Sequence, residues 1–375
     1  MNGAGACRPC LQRSWLLSMV AGHLERAHRQ ADRLLEALAL EDGPLLALPA
    51  PATGGRVAEA YERFDPEAAR SAAARSGLEL LCRHHPRYPP LLLDLPAPPA
   101  TLHLRREDRH APLGLEGPTV AIVGARKASD YGLDVARALG RGLSAAGVTV
   151  VSGLAYGIDA RAHAGALAGG GATLGVLAGG ADVPYPARQL ALYRRVAGSA
   201  GIVSEMPTGF RAFRWCFLAR NRIVAGLARA VIVVEASASS GSLLTARLAR
   251  ELGRPVGAVP GRVTSSAAAG PLALLRRGAH LVTGAQDVLD LVASDGWSPP
   301  PSSPPPTGRR NPGPDPPLPP ALRRLLDHVS NGRDTPELLV AAGHPPSDVG
   351  AGLGELELGG YVRRTLDGRY SVAPP

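Results

Sequence analysis

Between Phe210 and Arg222 the chain gathers the side chains best suited to hold an unpaired nucleic-acid strand: Phe210-Arg211-Ala212-Phe213-Arg214-Trp215-Cys216-Phe217-Leu218-Ala219-Arg220-Asn221-Arg222. The whole sequence has four phenylalanines and three tryptophans, and three of the former and one of the latter fall here. No acidic residue lies between Glu205 and Glu235, whereas Arg211, Arg214, Arg220, Arg222 and Arg229 all do. Rings offer each base a stacking surface worth about 1–3 kcal/mol, and guanidiniums grip phosphates through paired N–H donors. A competing reading places Phe213 and Phe217, four apart, on one buried helix face. Some of the four aromatics are expected in the core, but five unpaired arginines argue against burying them all.

A second set of polar and small residues recurs after short apolar runs. Gly124-Ala125-Arg126-Lys127-Ala128-Ser129 follows the first run, and Ser152-Gly153-Leu154-Ala155-Tyr156-Gly157-Ile158-Asp159 the second. Gly179-Gly180-Ala181-Asp182 and Ser239-Ser240-Gly241-Ser242, the latter before a helix carrying Thr245, follow later ones. Glycine lets backbone approach a ligand, and amides at helix N-termini attract phosphate. Such loops at one sheet edge suit a nucleotide or a run of DNA backbone. No G-x-G-x-x-G follows the first run, no acid stands near Val150 or Val151 for a ribose, and no G-x-x-x-x-G-K-[ST] occurs, so NAD and P-loop ATP chemistry are not expected. Asp159 reads as a helix cap, and His163 as a packed histidine rather than a base.

The elements that position these loops are legible from periodicity. Val120–Val123, Val148–Val151, Leu174–Leu177, Gly201–Val203, Val231–Val234 and Val256–Val259 are continuous apolar runs alternating with helix-forming segments, the pattern of a parallel sheet covered on both faces. The prediction is an α/β, Rossmann-like doubly wound domain over 106–293. Residues 1–105 read as a helical N-terminal region, with helices between Arg13 and Leu40 and from Pro66 to Ser76. Twelve of the twenty-two residues 299–320 are proline, so 294–320 is expected to be a linker. Within 321–375, helices are predicted at Ala321–Val329, Thr335–Ala342 and Pro346–Leu358. Asp367-Gly368 then stands between two short extended runs as a hairpin signal, which suggests a winged-helix module.

Composition sets the outer bounds. A net charge of +9 suggests a polyanionic partner, discounted because Lys127 is the only lysine and the arginine-rich, Ala-, Gly- and Pro-rich usage has the look of coding bias. No run of 18 apolar residues occurs, so no membrane helix and a cytoplasmic location are expected. Cys7 and Cys10 form a C-x-x-C pair, but zinc or redox use would need a second ligand pair or a following βαβ unit, and neither is nearby. They read as incidental thiols; no metal and no cofactor are expected.

One family carries these motifs in order. Val123-Gly124-Ala125-Arg126, Ser152-Gly153-x-Ala155-x-Gly157-Ile158-Asp159-x-x-Ala162-His163, Tyr185-Pro186, Ser204-Glu205-x-Pro207, Phe217-x-x-Arg220-Asn221-Arg222-Ile223-Val224-Ala225-Gly226-Leu227, Ser240-Gly241-Ser242-Leu243-x-Thr245-Ala246, Val259-Pro260-Gly261 and Gly278-Ala279 resemble the DNA-processing A (DprA/Smf) family across 119–290. The resemblance implies a non-enzymatic protein that dimerises, binds single-stranded DNA and loads RecA recombinase onto it, typically in natural transformation. It implies that Gly124 and Arg126 bind phosphate, that Arg214 is a basic DNA contact, and that Phe217 stacks on a base beside Arg220, Asn221 and Arg222. Ser152, Gly153, Ser240, Gly241, Ser242 and Thr245 would line the same pocket, although Arg220 serves equally well as a loop anchor paired with a carboxylate. Two departures stand out: Leu218 replaces the proline the family usually places after the phenylalanine, and residues 1–105 match its helical (sterile-alpha-motif or helix-hairpin-helix-like) N-terminal module only around Leu48–Ala58.

Two other functions fit parts of the pattern. A nucleotide-processing hydrolase of the lysine-decarboxylase-like (LOG) type needs a glutamate in its glycine-rich loop, and Ser239–Ala246 contains no acid. A ligand-responsive transcription factor needs a basic recognition helix, yet Pro346–Leu358 carries only Asp348, Glu355 and Glu357 as charges, which repel phosphate.

Overall fold

The computed structural model describes residues 6–27, 31–49, 51–107, 115, 117–293, 318–358, 361–364 and 368–372. Two compact units divide at Pro300. The first is built on a nine-stranded sheet of order β1-β2-β6-β5-β4-β3-β7-β8-β9. All six apolar runs are strands: β3 (Thr119–Val123), β4 (Thr149–Ser152), β5 (Thr173–Val176), β6 (Gly201–Ser204), β7 (Ala230–Val233) and β8 (Val256–Ala258). With β9 (His280–Leu281) they pair in parallel throughout. The six apolar strands bury both faces, as their unbroken apolar pattern requires, whereas the edge strand β9 is exposed.

The sheet begins earlier than the expected 105/106 boundary. β1 (Leu78–Cys82) and β2 (Thr101–Arg105) come from the region read as helical, and β2 joins β6 antiparallel through His103↔Ser204 and Leu104↔Val203. Neither carries the continuous apolar run that marks the central strands, since Glu79 interrupts β1 and His103 interrupts β2. The proline-rich stretch between them is packed rather than loose, with the buried Tyr88 hydroxyl donating to the Pro99 carbonyl at 2.7 Å. Upstream, Arg8–Met19, Ala21–Ala27, Ala31–Ala39 and Pro51–Glu62 are helical, and Leu16, Leu24, Leu34 and Leu45 bury among them with Trp215.

Helices cover the two sheet faces differently on either side of β3. The Asp130–Ala145 helix after β3 packs Ala136, Leu139 and Leu143 on one face; the Ser242–Glu251 helix after β7 packs Ala246, Leu248 and Ala249 on the other. Because β3 and β7 are neighbours whose following helices diverge, their carboxyl ends bound a crevice, the usual ligand position in such sheets. His163 is packed as expected: fully buried, its Nδ1 lies 2.7 Å from Thr173 Oγ1, and burial pushes its pKa down to about 3.

The second unit contains the three predicted helices (Pro320–Ser330, Pro336–Ala341 and Pro346–Leu358) and the hairpin β10 (Val362–Arg364) with β11 (Tyr370–Val372). Leu322, Leu325, Val329, Leu339, Val349, Leu353, Leu356 and Val362 form its core. Asp367 and residues 294–317 of the predicted linker lie outside the described residues.

Candidate nucleic-acid interface

The crevice is built from three loops and one helix start. After β3, the Ala125 N–H donates to the Glu235 carbonyl at 2.7 Å, and the Ala125 carbonyl accepts from the Ile158 N–H at 3.2 Å. Further on, the Glu235 carboxylate accepts from both the Ser129 N–H (2.9 Å) and the Ser129 hydroxyl (2.5 Å). Arg126 therefore projects from backbone fixed on both sides. Gly124 is compelled by packing, since a Cβ there would fall 2.6 Å from Ile158 and 2.8 Å from the Glu235 carbonyl.

Beside this loop runs the Arg214–Leu227 helix. Its start differs from the buried-face reading: Phe213 is the N-cap and lies 41% exposed, whereas Trp215 is the core aromatic, fully buried. Phe217 is half-buried, with the Arg126 guanidinium 5.1 Å from its ring centre on one side and Tyr185 at 5.3 Å. Arg126, Lys127, Arg211 and Arg214 are exposed, and none has a carboxylate partner among the described residues. Tyr156 and Tyr185 are exposed too. The product is a cationic rim set with aromatic rings.

Not every predicted contact faces outward. Arg222 is buried and donates to both oxygens of Glu205, at 2.5 and 2.6 Å. Arg220 is buried 3.9 Å from Asp159. Of the five arginines, Arg220 and Arg222 looked unpaired because their carboxylates lie outside the 206–234 window in sequence, at Asp159 on another helix and at Glu205. Asp159 is correspondingly not a cap on its own helix. Its carboxylate accepts from the Gly153 N–H at 3.1 Å and so closes the preceding loop around Arg220. Gly153 is the residue this demands, because a Cβ would sit 1.1 Å from the Arg220 Nη1.

The remaining predicted residues form the scaffold. Ser152 is fully buried and donates to the Ile122 carbonyl at 2.6 Å, so its hydroxyl is occupied between two strands. Thr245 is also buried. Asn221 donates from Nδ2 to the Gly241 carbonyl at 3.1 Å, holding the Ser240-Gly241-Ser242 turn against the helix. That turn is open: Gly241 is exposed, the Ser240 and Ser242 hydroxyls meet at 2.7 Å, and the Ser242–Glu251 helix has no side-chain N-cap. Sequence reasoning missed Glu235 as the organiser of the Arg126 loop and Tyr185 as the ring against Phe217; only the Tyr185-Pro186 motif pointed to the latter.

Charge in the crevice is incompletely balanced. Burial pushes the Arg220 pKa down, with Asp159 opposing and Arg126 adding to the shift. Burial likewise raises the Asp159 carboxyl, with Arg220 opposing. Asp159 thus faces the buried Arg220 guanidinium at 3.9 Å, while the exposed Arg126 adds positive charge to the crevice.

Sheet, switch point and rim together define a Rossmann-like protein with a cationic, ring-bearing crevice. The model of the family described as DNA recombination-mediator protein A matches residues 79–293, more than half of the chain, and this protein belongs to that family. A DNA processing protein DprA of Mycobacterium tuberculosis is 53% identical over 176 residues, which is 47% of this chain and 45% of the relative; the chain thus spans about half of that relative's length. Among solved structures, DprA of Streptococcus pneumoniae aligns with a TM-score of 0.60 at 32% identity, covering 75% of this chain and 95% of that one. DNA processing protein A of Helicobacter pylori, described by its single-stranded DNA binding mode, aligns with a TM-score of 0.52 at 29% identity, covering 59% and 98%.

Proposed function

We propose that this chain binds and protects single-stranded DNA in the crevice at the carboxyl ends of β3 and β7, and loads RecA recombinase onto it during DNA processing in natural transformation. One observation carries the reading: the exposed Arg126 guanidinium over the Phe217 ring, with the Tyr185 ring beside it. An exposed cation–π contact is worth about 0.5–1 kcal/mol, less than the roughly 1–3 kcal/mol of a stacked base, so a base can take the ring while Arg126 turns to a phosphate. Arg214 extends the cationic track, and the open Ser240-Gly241-Ser242 turn offers amides to a second phosphate. Gly124, Ser152, Gly153, Arg220, Asn221, Arg222 and Thr245 set the loops in this reading rather than touching the strand. Family membership and the single-stranded DNA binding of the H. pylori protein supply the ligand class.

The same reading extends to a homodimer in the cytoplasm; no helix among the described residues is long and apolar enough to cross a membrane. It takes 321–375 as a winged-helix module whose acidic Pro346–Leu358 helix meets protein rather than DNA. A mobility-shift assay comparing single- and double-stranded oligonucleotides tests the core claim. Preference for the single strand is expected, and Arg126→Ala weakens it by about tenfold or more, the value of one charge-assisted contact. Equal affinity for both DNA forms, or wild-type affinity in the variant, rejects the assignment.

A further inference from the structure

The fold supplies what the C-x-x-C pair lacked in sequence. Cys7 and Cys10, read as incidental thiols with no second ligand pair nearby, meet Cys82 and His84, and one ligand atom from each of the four lies within 4.8 Å of every other. Cys7 is the N-cap of the Arg8–Met19 helix and Cys10 lies in its first turn, so a spacing of three sets both thiols on one side. Cys82 ends β1, and the His85 N–H returns to the Cys82 carbonyl at 2.8 Å, a tight turn that swings His84 back towards the sulfurs. We propose that these residues form a structural Cys3His zinc site that fastens the N-terminal helix to the edge of the sheet.

Three features favour a metal over incidental packing. His84 Nδ1 lies 3.4 Å from the Cys7 sulfur and 3.5 Å from that of Cys10. Tetrahedral zinc, with Zn–S about 2.3 Å and Zn–N about 2.0–2.1 Å, separates adjacent sulfur and nitrogen ligands by about 3.5 Å. As neutral thiols the cluster is poorly matched, because three S–H donors confront one imidazole lone pair and otherwise only one another's weakly accepting sulfurs. Thiolates around a divalent cation resolve that conflict at every donor. A mononuclear ion fits better than an iron–sulfur cluster, whose bridging sulfides would hold its cysteines further apart than 4.8 Å. Four protein donors fill a tetrahedron, leaving no open position for a substrate, so the role is structural. The burden falls where it is useful: Ala6, Cys10 and Leu11 share a core with Leu78, Leu80 and Cys82, and the metal locks that join.

The test uses the full-length chain, free of any affinity tag, dialysed and assayed for zinc by mass spectrometry. About one zinc per chain is expected, falling at least tenfold in Cys10→Ser and in Cys82→Ser. Because either variant could fail to fold, wild-type protein stripped by a chelator is also titrated with cobalt. The visible bands of tetrahedral thiolate-bound Co2+ support the site, as does a lowered melting temperature of the stripped chain restored by zinc. Less than about a tenth of an equivalent of zinc in wild type, full zinc retention in Cys10→Ser, or a Cys7–Cys10 disulfide seen as the loss of two hydrogens in the intact mass would each overturn it. DNA binding enters none of these readouts, so the site stands or falls separately from the proposed function.

Discussion

Replacing Arg222 with alanine tests whether this arginine of the F-x-x-R-N-R motif is scaffold or DNA contact. The Arg222 and Glu205 side chains are 3% and 5% exposed, and the guanidinium donates to both carboxylate oxygens. Removing it strands a buried carboxylate, a change that costs about 3–5 kcal/mol in comparable pairs. At roughly 2–4 °C per kcal/mol for a unit of this size, melting should fall by about 6–20 °C. Arg222→Met combined with Glu205→Leu removes both charges and should recover most of that loss, because a buried pair contributes little net stability against apolar residues of similar volume. Calorimetry of wild type, Arg222→Met, Glu205→Leu and the double variant gives the coupling directly. At a temperature where Arg222→Ala remains folded, its single-stranded DNA affinity should stay within about twofold of wild type, since no contact with the strand has been removed. Unchanged melting together with a tenfold loss of binding would refute the argument and return Arg222 to the DNA surface.

Two further outcomes follow from the same geometry. Phe217→Ala should weaken single-stranded DNA binding by about 5- to 150-fold, the equivalent of roughly 1–3 kcal/mol of stacking, while melting falls far less than in Trp215→Ala, where a fully buried ring is lost; fluorescence polarisation and thermal melts on both variants check the contrast. Burial pushes His163 down to about 3 and His103 down to about 4, from an unfolded value near 6.5. Both are neutral in the fold, so their contribution is complete above pH 6.5 and lost as the medium becomes more acidic, because the unfolded chain takes up protons first. By pH 5 each should have cost about 2 kcal/mol at roughly 1.4 kcal/mol per unit; urea melts at pH 7.5 and 5 measure the sum, and a His103→Asn variant with the same acid loss as wild type would contradict it.

What the sequence disclosed and what it hid divide along the range of the interactions involved. The six central strands and the three C-terminal helices were legible because each is an uninterrupted local pattern, a buried β-branched run or a capped apolar stripe. β1 and β2 were not, because Glu79 and His103 interrupt their apolar residues and pairing fixes them instead, β1 with β2 and β2 with β6, a partner about a hundred residues away. The site divides in the same way. Arg126 and Phe217 were legible as types suited to the chemistry. That Arg220 and Arg222 are buried against carboxylates depended on Asp159 and Glu205, and nothing within the F-x-x-R-N-R segment reveals those pairings.

The buried pairs also explain how so exposed a surface can be stiff. Arg126 contributes nothing to a strand if its loop wanders, and its neighbours are all tied down by groups that never reach the crevice. Glu235 holds Ser129 and, through its carbonyl, Ala125; Asp159 holds Gly153; Asn221 holds Gly241. Apart from the main-chain bond to Ala125, each tie runs from a charged or amide side chain on one element to the backbone or cap of another, so the three loops are fixed relative to one another as well as to the sheet. Ordering of the protein on binding is thereby reduced, and the charge of Arg126 and the ring of Phe217 can act through contact with the strand rather than being offset by loop entropy. On the proposed function, the arginines that looked most like DNA contacts support the residues assigned to the strand: Arg220, paired with Asp159, fills the space that Gly153 leaves open, and Arg222, paired with Glu205, anchors the helix that carries Phe217.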